Sequence, residues 1–238
     1  LERTWRGLTG GRVDADVKPA VGFSKPAVQR LVDRVRLRST RQARDAQVEF
    51  ALASLSVSDH RSGRTMDARA LKRRVSAALL SRDLPRELRV RLERTQPDVT
   101  TGDLAEKYPT VMTVDRGGFR LRLFKGLELV KTYRIAVGAV GLETPAGVYD
   151  IENMAVNPAW HVPTSDWAGD LAGRVIPPGP ENPIKARWMG IYAGAGIHGT
   201  AERGSIGTNA SHGCIRMLIE DVTELYDRVT IGTPVYIA

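Results

Sequence analysis

A single cysteine, Cys214, stands in the 238-residue chain, and its neighbours are residue types that support nucleophilic catalysis. His212 lies two residues before it, and another histidine, His198, lies upstream in a His-Gly-Thr segment. A thiol attacks as its thiolate, and a nearby imidazole can accept the proton. Gly213 allows a tight turn, so that backbone N–H groups can face a developing oxyanion. The alternative is a buried cysteine acting as a small hydrophobe, but the flanking His, Gly and Ser residues favour a nucleophile.

Two other kinds of site fit these motifs less well. The run Gly194–Gly199 matches the dinucleotide fingerprint G-x-G-x-x-G, which needs a helix that begins at those glycines. The residues that follow show no apolar helical period, so nucleotide binding is not expected. His198, His212 and Cys214 are possible zinc ligands, but ligand spacings such as C-x-x-C are absent. We therefore expect neither a metal nor a cofactor.

The two motifs together resemble the signature of the L,D-transpeptidases, which have a YkuD-type catalytic domain. The motifs are His198-Gly199-Thr200 and Ser211-His212-Gly213-Cys214-Ile215-Arg216-Met217. The resemblance covers about residues 107 to 238 and includes the segments Thr144–Gly147, Asn157–Trp160 and Gly232–Val235. Many relatives carry Asn where Arg216 stands, although Arg is also familiar there. The resemblance implies a β-sandwich-like fold.

This resemblance also implies an activity, a substrate and a location. The thiolate of Cys214 would attack a peptidoglycan stem tetrapeptide at the carbonyl that precedes the terminal D-alanine. D-alanine would leave, a thioester would remain, and an amine of a neighbouring stem would resolve it into a cross-link. Carbapenem-type β-lactams are the implied inhibitors. Such an enzyme works in the cell envelope, but the chain has no apolar run long enough for a signal peptide or a spanning helix. We therefore expect any leader or membrane anchor to lie outside this sequence.

Five residues are assigned to the catalytic step on this basis. Cys214 is the nucleophile and His198 the preferred base, with a backbone carbonyl near Gly199 orienting its ring. His212 supports the site. The N–H groups of Gly213 and Cys214 are candidates for the oxyanion hole.

Five further residues are expected to contact substrate. Arg216 either braces the loop through hydrogen bonds to carbonyls or meets a substrate carboxylate. Ser211 and Thr200 are hydrogen-bond partners within the site. Trp160 and Tyr192 supply contact surface for the donor.

Two other functions remain open from the sequence. Water instead of an amine could resolve the thioester, which would make the protein an L,D-carboxypeptidase or another hydrolase. The chain could also be a non-catalytic wall-binding protein with a degenerate site, although the intact Cys214 and His198 argue against that.

Charge is distributed unevenly along the chain and predicts a domain boundary. Residues 1–106 carry 22 Lys and Arg against 14 Asp and Glu, whereas residues 107–238 carry 13 of each. Together with the polar stretch at 95–102, this shift predicts a basic domain over 1–104 and a catalytic domain over 105–238.

The first domain is predicted to be a small α+β unit with the order β-α-β-β-α-β. Its predicted elements are a strand at Arg12–Val17, a helix capped by Ser24, strands at Ala46–Leu52 and Leu55–Ser58, a helix capped by Asp67 and a strand at Leu88–Leu92. This part is weakly similar to the peptidoglycan-binding modules found upstream of such catalytic domains. The preferred interpretation of its basic residues is a solvated face of a helix. The second interpretation is that they attract the protein to an anionic cell envelope. Nucleic acid is not expected, because no aromatic interleaving or known motif accompanies them.

The second domain is predicted to be mainly β with one or two helices. Alternating apolar and polar residues predict several strands, and Asp221–Val229 is the predicted helix. Residues 154–187 differ, because they combine six prolines with Trp160 and Trp167. A long irregular segment in a compact domain is usually functional. We interpret it as a wall or lid over the cysteine, with a packing loop over one sheet face as the alternative.

Overall fold

The computed structural model describes residues 21–238, which divide into two compact units. Of these residues, the first unit comprises 21–43 and 62–96, and the second comprises 44–61 and 97–238. The helices are α1 (Lys25–Ser39), α2 (Ala68–Leu80), α3 (Leu104–Lys107) and α4 (Ile219–Tyr226). The strands are β1 (Gln47–Phe50), β2 (Leu55–Ser58), β3 (Gly63–Thr65), β4 (Glu93–Thr95), β5 (Thr110–Asp115), β6 (Arg120–Lys125), β7 (Glu128–Gly138), β8 (Gly147–Asp150), β9 (Asn153–Val156), β10 (Trp160–His161), β11 (Val175–Ile176), β12 (Lys185–Tyr192), β13 (Ala195–Thr200), β14 (Asn209–Ser211), β15 (Ile215–Leu218) and β16 (Pro234–Ile237). The predicted strand at Arg12–Val17 lies outside the described residues.

The first unit is built on two capped amphipathic helices. Ser24 Oγ accepts the N–H of Ala27 at 3.3 Å, and α1 follows. The Asp67 carboxylate accepts the N–H of Ala70 at 2.8 Å, and α2 follows. Both predicted caps are therefore confirmed. The buried residues of this small core are Val28, Val32, Met66 and Leu71.

The strands of the first unit differ from the predicted order. β3 and β4 pair antiparallel. Residues 88–92 form no strand, so the alternation of apolar and charged residues in that segment did not predict a paired strand correctly. The two strands predicted between the helices are present as β1 and β2, but this hairpin belongs to the second unit. The unit is small and α+β as predicted, but without the six-element arrangement.

The β1–β2 hairpin is held to the second unit by hydrogen bonds and aromatic contacts. The carbonyl of Leu52 accepts hydrogen bonds from Thr113 Oγ1 at 2.8 Å and Arg122 Nη1 at 2.7 Å. The ring of Phe50 stacks on Tyr236 at 6.1 Å and meets the edge of Tyr108. Residues 44–61 and 97–104 thus join the second unit, which departs from the predicted boundary at 104/105. The charge shift in the sequence does not report these long-range contacts.

The second unit is mainly β, with few helices, as predicted. Ten of the described strands form one sheet in the order β8-β16-β5-β6-β7-β15-β13-β12-β9, with β14 paired to β7. Parallel pairs, such as β13 with β15, occur within this otherwise mostly antiparallel sheet. The inner face of the sheet packs against α4, whose Val222 and Leu225 are fully buried. This core fixes β13, which carries His198, and β15, which directly follows Cys214. Among the described helices, none is both long and apolar enough for a membrane span.

Candidate active site

The parallel pairing of β13 and β15 brings the predicted catalytic residues to one face of the sheet. His198 on β13 lies opposite Arg216 on β15. Cys214 directly precedes β15, and it lines the same cleft as His198 and Arg216. The intervening residues Ile197 and Ile215 are buried in the core on the other side. The alternation of reactive and apolar residues in the two motifs is therefore the ordinary two-residue period of strands.

The ring of His198 is buried and oriented by a backbone carbonyl. Its Nδ1 lies 2.9 Å from the carbonyl oxygen of Gly199, and since a carbonyl only accepts, Nδ1 carries the proton and Nε2 is left as an acceptor. A side chain at position 199 would place its Cβ 2.6 Å from the carbonyl oxygen of Lys185, so this close strand approach requires glycine. The Trp188 ring stacks beside the imidazole at 6.2 Å.

Burial sets the protonation state of this histidine. Desolvation lowers the pKa of His198 to about 4, and the positive charge of Arg216 acts in the same direction. The hydrogen bond to Gly199 opposes this shift only in part. At neutral pH the imidazole is therefore uncharged and able to accept a proton.

The thiol of Cys214 is half-buried and also uncharged at rest. Its Sγ lies 4.0 Å from the carbonyl oxygen of Gly194, in the turn between β12 and β13. Burial raises the pKa of the thiol, while the backbone of Gly196 and the charge of Arg216 lower it less. The site consequently holds a neutral thiol and a neutral imidazole, not a preformed ion pair.

The turn before the cysteine is closed by Ser211. Its hydroxyl donates to the carbonyl of Cys214 and accepts the N–H of Gly213 at 3.2 Å. Gly213 has φ +110°, a conformation that L side chains rarely adopt. Ser211 thus shapes the turn from within. Because the N–H of Gly213 is already paired with Ser211, it is less available for an oxyanion than the sequence suggested.

Arg216 is paired with a carboxylate that sequence analysis missed. Its Nη1 lies 2.8 Å from Oε2 of Glu202. The Arg216 side chain is 15 % exposed and that of Glu202 is 72 % exposed. Arg216 therefore lies inside the site, and Glu202 contacts it from the solvent-exposed surface. Thr200 Oγ1 accepts the N–H of Glu202 at 3.1 Å, which makes Thr200 a support for the carboxylate-bearing turn. Of the two roles expected for Arg216, bracing of carbonyls is not seen among the described residues.

An aromatic cleft of about 1350 Å³ opens over the cysteine. Trp160 and Tyr192, the two residues expected to contact the donor, line it together with Trp167 and Trp188. The exposed ring of His212 stacks on Trp167 at 4.2 Å, which places this histidine against the cleft wall.

Residues 158–184 supply much of one wall of the cleft. The segment is tied down by the short β10–β11 pair and by the buried amide of Asn182, which donates to the carbonyls of Pro158 and Ile176. The predicted wall over the cysteine thus agrees with the position of this segment.

Three of the lining and supporting residues carried little sequence signal. Trp188 lies in an ordinary strand pattern, Trp167 in a proline-rich loop and Glu202 among exposed polar residues. Only strand order and loop path bring them to the site. Among the described residues, no group of three or more His, Cys, Asp or Glu side chains is arranged to hold a metal ion.

Comparison with known proteins agrees with this architecture. The family model for the L,D-transpeptidase catalytic domain matches residues 109–237, and a model described as "Putative peptidoglycan binding domain" matches residues 4–87. The Bacillus subtilis protein named "Putative L,D-transpeptidase YkuD" is 33% identical over 180 residues, covering 74% of this chain and 95% of its own length. "Probable L,D-transpeptidase YbiS" of Escherichia coli is 36% identical over 121 residues, and the match covers 47% of this chain but only 38% of that protein.

A solved structure extends the comparison. The catalytic domain of the E. faecium L,D-transpeptidase, acylated by ertapenem, is 27% identical with a TM-score of 0.44, and the match covers 55% of this chain and 97% of that domain. The family match spans more than half of the chain and includes both predicted motifs. This chain therefore belongs to the L,D-transpeptidase family, with a peptidoglycan-binding-type region preceding its catalytic domain.

Proposed function

We propose that the protein is a peptidoglycan L,D-transpeptidase in which Cys214 is the nucleophile and His198 the general base. The observation that carries this proposal is the cleft that both residues line, with His198 anchored through Nδ1 so that Nε2 is free to accept a proton. Family membership supports peptidoglycan stem peptides as substrate and the cell wall as the place of action.

The neutral pair indicates how the first half-reaction proceeds. Nε2 of His198 takes the thiol proton as Sγ of Cys214 attacks the carbonyl that precedes the terminal D-alanine. The oxyanion is stabilised by the backbone N–H of Cys214, with the N–H of Gly213 joining if Ser211 releases it. The tetrahedral intermediate collapses with cleavage of the C–N bond. The imidazolium returns its proton to the departing amine, and a thioester on Cys214 remains.

The second half-reaction reverses these roles. Neutral His198 accepts a proton from the incoming amine as the amine attacks the thioester carbonyl. The C–S bond breaks, the thiolate leaves and is reprotonated, and an amide cross-link is released. The acceptor amine would enter through the cleft lined by Trp160 and Trp167.

Arg216 and Glu202 supply recognition of the donor. The guanidinium has five N–H donors, and the contact with Glu202 uses Nη1, which leaves further donors on the cleft side. We assign these donors to a carboxylate of the stem peptide, with Glu202 fixing the direction of the guanidinium.

Incubation with a disaccharide-tetrapeptide, with and without an amine acceptor, tests the proposal. A transpeptidase forms a covalent adduct at Cys214, releases D-alanine and produces dimer only when acceptor is present. A carboxypeptidase produces tripeptide in both cases. The Cys214→Ser variant is the control, because a hydroxyl is far less ionised beside the same base. D-alanine release by this variant at the wild-type rate would overturn the proposal.

A carbapenem offers a second probe of the same nucleophile. Thiol attack on the strained ring parallels the first half-reaction, and the opened ring stays attached. We expect a mass gain equal to the intact drug, mapped to the peptide that contains Cys214 and absent from C214S. A drug adduct on any other residue would contradict the assignment.

A further inference from the structure

The first compact unit carries a large excess of positive charge. Among its described residues, 21–43 and 62–96, there are 16 Lys and Arg against 5 Asp and Glu, a net charge of +11. The second unit, 44–61 and 97–238, carries 15 against 19, a net charge of −4. Residues 44–61 carry a net charge of −1 and residues 97–106 a net charge of −3. Because both segments belong to the second unit, the charge difference between the units is larger than that between the two halves of the sequence.

The excess is not neutralised within the described part of the first unit. Its one ion pair there joins Arg36 to Asp33 at 3.7 Å, on the exposed surface. On α1, Arg30, Arg34 and Arg38 follow one another at intervals of one turn, and all three are exposed. This row lies on the opposite side of the helix from the buried Val28 and Val32. Like charges at this spacing repel one another and weaken a helix.

A second row of arginines stands on α2. Arg69 and Arg73 are exposed one turn apart, on the side of the helix opposite the buried Leu71 and Ala78. Arginine accounts for all but two of the 16 cationic residues of the unit, Lys25 and Lys72. The planar guanidinium binds phosphate oxygens in a bidentate manner, which an ammonium does not do.

We propose that the first unit binds a linear anionic polymer carried by the cell wall, with phosphodiester groups as the recognised chemistry. An uncharged glycan gains nothing from rows of unpaired arginines, whereas a polyanion neutralises their mutual repulsion and releases its condensed counterions. The inference rests on the proposed function, which places the catalytic unit at the peptidoglycan to which such a polymer would be attached. It extends that function by naming a second partner and the surface that receives it.

Co-sedimentation of the full chain with isolated sacculi tests this proposal. C214S is used, so that the polymer is not altered during the assay. One set of sacculi keeps its phosphodiester polymers, and a matched set is stripped of them with hydrofluoric acid. Binding should be strong at low salt to the first set and lost from the second. The logarithm of the binding constant should fall linearly with the logarithm of salt concentration, with a slope of about −0.7 per contact.

Charge-neutral variants identify the surface. R30Q/R34Q/R38Q should reduce the magnitude of this slope by about 2, from three contacts of about 0.7 each. The matched control K107Q/R120Q/K125Q removes three exposed cations of the second unit outside the cleft and should leave the slope unchanged. Circular dichroism melting of both variants confirms that each is folded.

Three outcomes would overturn the inference. They are equal binding to stripped sacculi, equal loss in the control variant, and binding to anionic lipid vesicles without binding to sacculi. Turnover of soluble tetrapeptide by R30Q/R34Q/R38Q with Cys214 intact separates this inference from the proposed function. Turnover by the wild type together with failure of C214S to bind unstripped sacculi refutes the binding surface alone, whereas absence of turnover in the wild type refutes the proposed function.

Discussion

His198 as a neutral base should make two reactions of Cys214 respond differently to its removal. Burial lowers the pKa of His198 from 6.5 to about 4, which corresponds to about 3 kcal/mol in favour of the neutral ring. At pH 7, roughly one ring in a thousand is then protonated. Burial also raises the pKa of the thiol, so the resting site contains little thiolate.

The perturbation is His198→Gln, assayed with an acyl donor and with iodoacetamide, a small neutral alkylating reagent. Acylation by tetrapeptide, followed by intact mass, should slow by about 10²- to 10⁴-fold because the attacking thiol loses its base. Alkylation at pH 7 should change by less than about threefold, because a neutral ring does not hold the thiolate. Wild-type alkylation should rise about tenfold per pH unit until the raised pKa of the thiol is reached.

His212→Ala is the matched control. His212 is exposed against the cleft wall, so its removal should preserve a larger share of acylation than removal of His198. A wild-type alkylation rate that does not vary between pH 5 and 7 would show a thiolate–imidazolium pair and refute the neutral-base reasoning. Greater loss of acylation in H212A than in H198Q would refute the assignment of the base.

Three further predictions concern stability and recognition. The pKa of folded His198 lies below its unfolded value, so its contribution to stability is present above pH 6.5 and is lost as the pH falls towards 4. Urea titrations at pH 7 and 4.5 should show wild type losing about 2.4 kcal/mol from this group, and H198Q should lack this loss. Glu202→Gln should raise KM for tetrapeptide about two- to fivefold with kcat little changed, because Glu202 orients Arg216. The control Glu220→Gln, which removes the neighbouring exposed pair with Arg203, should change neither constant. A fall in kcat alone in the Glu202 variant would contradict its role in positioning Arg216. Phe50→Ala should lower the free energy of unfolding by about 1–2 kcal/mol, because its ring loses contact with two tyrosines. The control Val57→Ala, at an exposed position of the same hairpin, should have little effect. Equal effects of the two substitutions would show that the Phe50 ring contacts do not stabilise the hairpin.

Much of the catalytic centre was predictable because its determinants are local. The residues around Cys214 and His198 alternate reactive and apolar types, which is the pattern of a strand with one face in a core. Likewise, Ser24 and Asp67 precede helices and cap them through contacts within three residues. Each of these features depends on backbone conformation and burial over a few positions, and sequence spacing reports both.

The partners of these residues depend on strand order, which the sequence does not report. Glu202 reaches Arg216 because β13 and β15 are adjacent and parallel. Trp167 reaches His212 only through the path of the loop 158–184. The low pKa of His198 follows from burial by this packing, so the sequence could name a candidate base but not its protonation state.

The division into units shows the same contrast on a larger scale. The sequence alone determined that a basic, helix-containing part precedes a mainly β part with a candidate thiol nucleophile, because charge, helix caps and strand periodicity are properties of short segments. Only the tertiary structure assigned residues 44–61 to the catalytic unit, through the contacts of Phe50 and Leu52 with residues more than fifty positions away. Residues 44–61 attach through a hydrogen-bond acceptor and an aromatic ring that contact the sheet only after it has formed. These contacts are long-range, so no local sequence pattern predicts them.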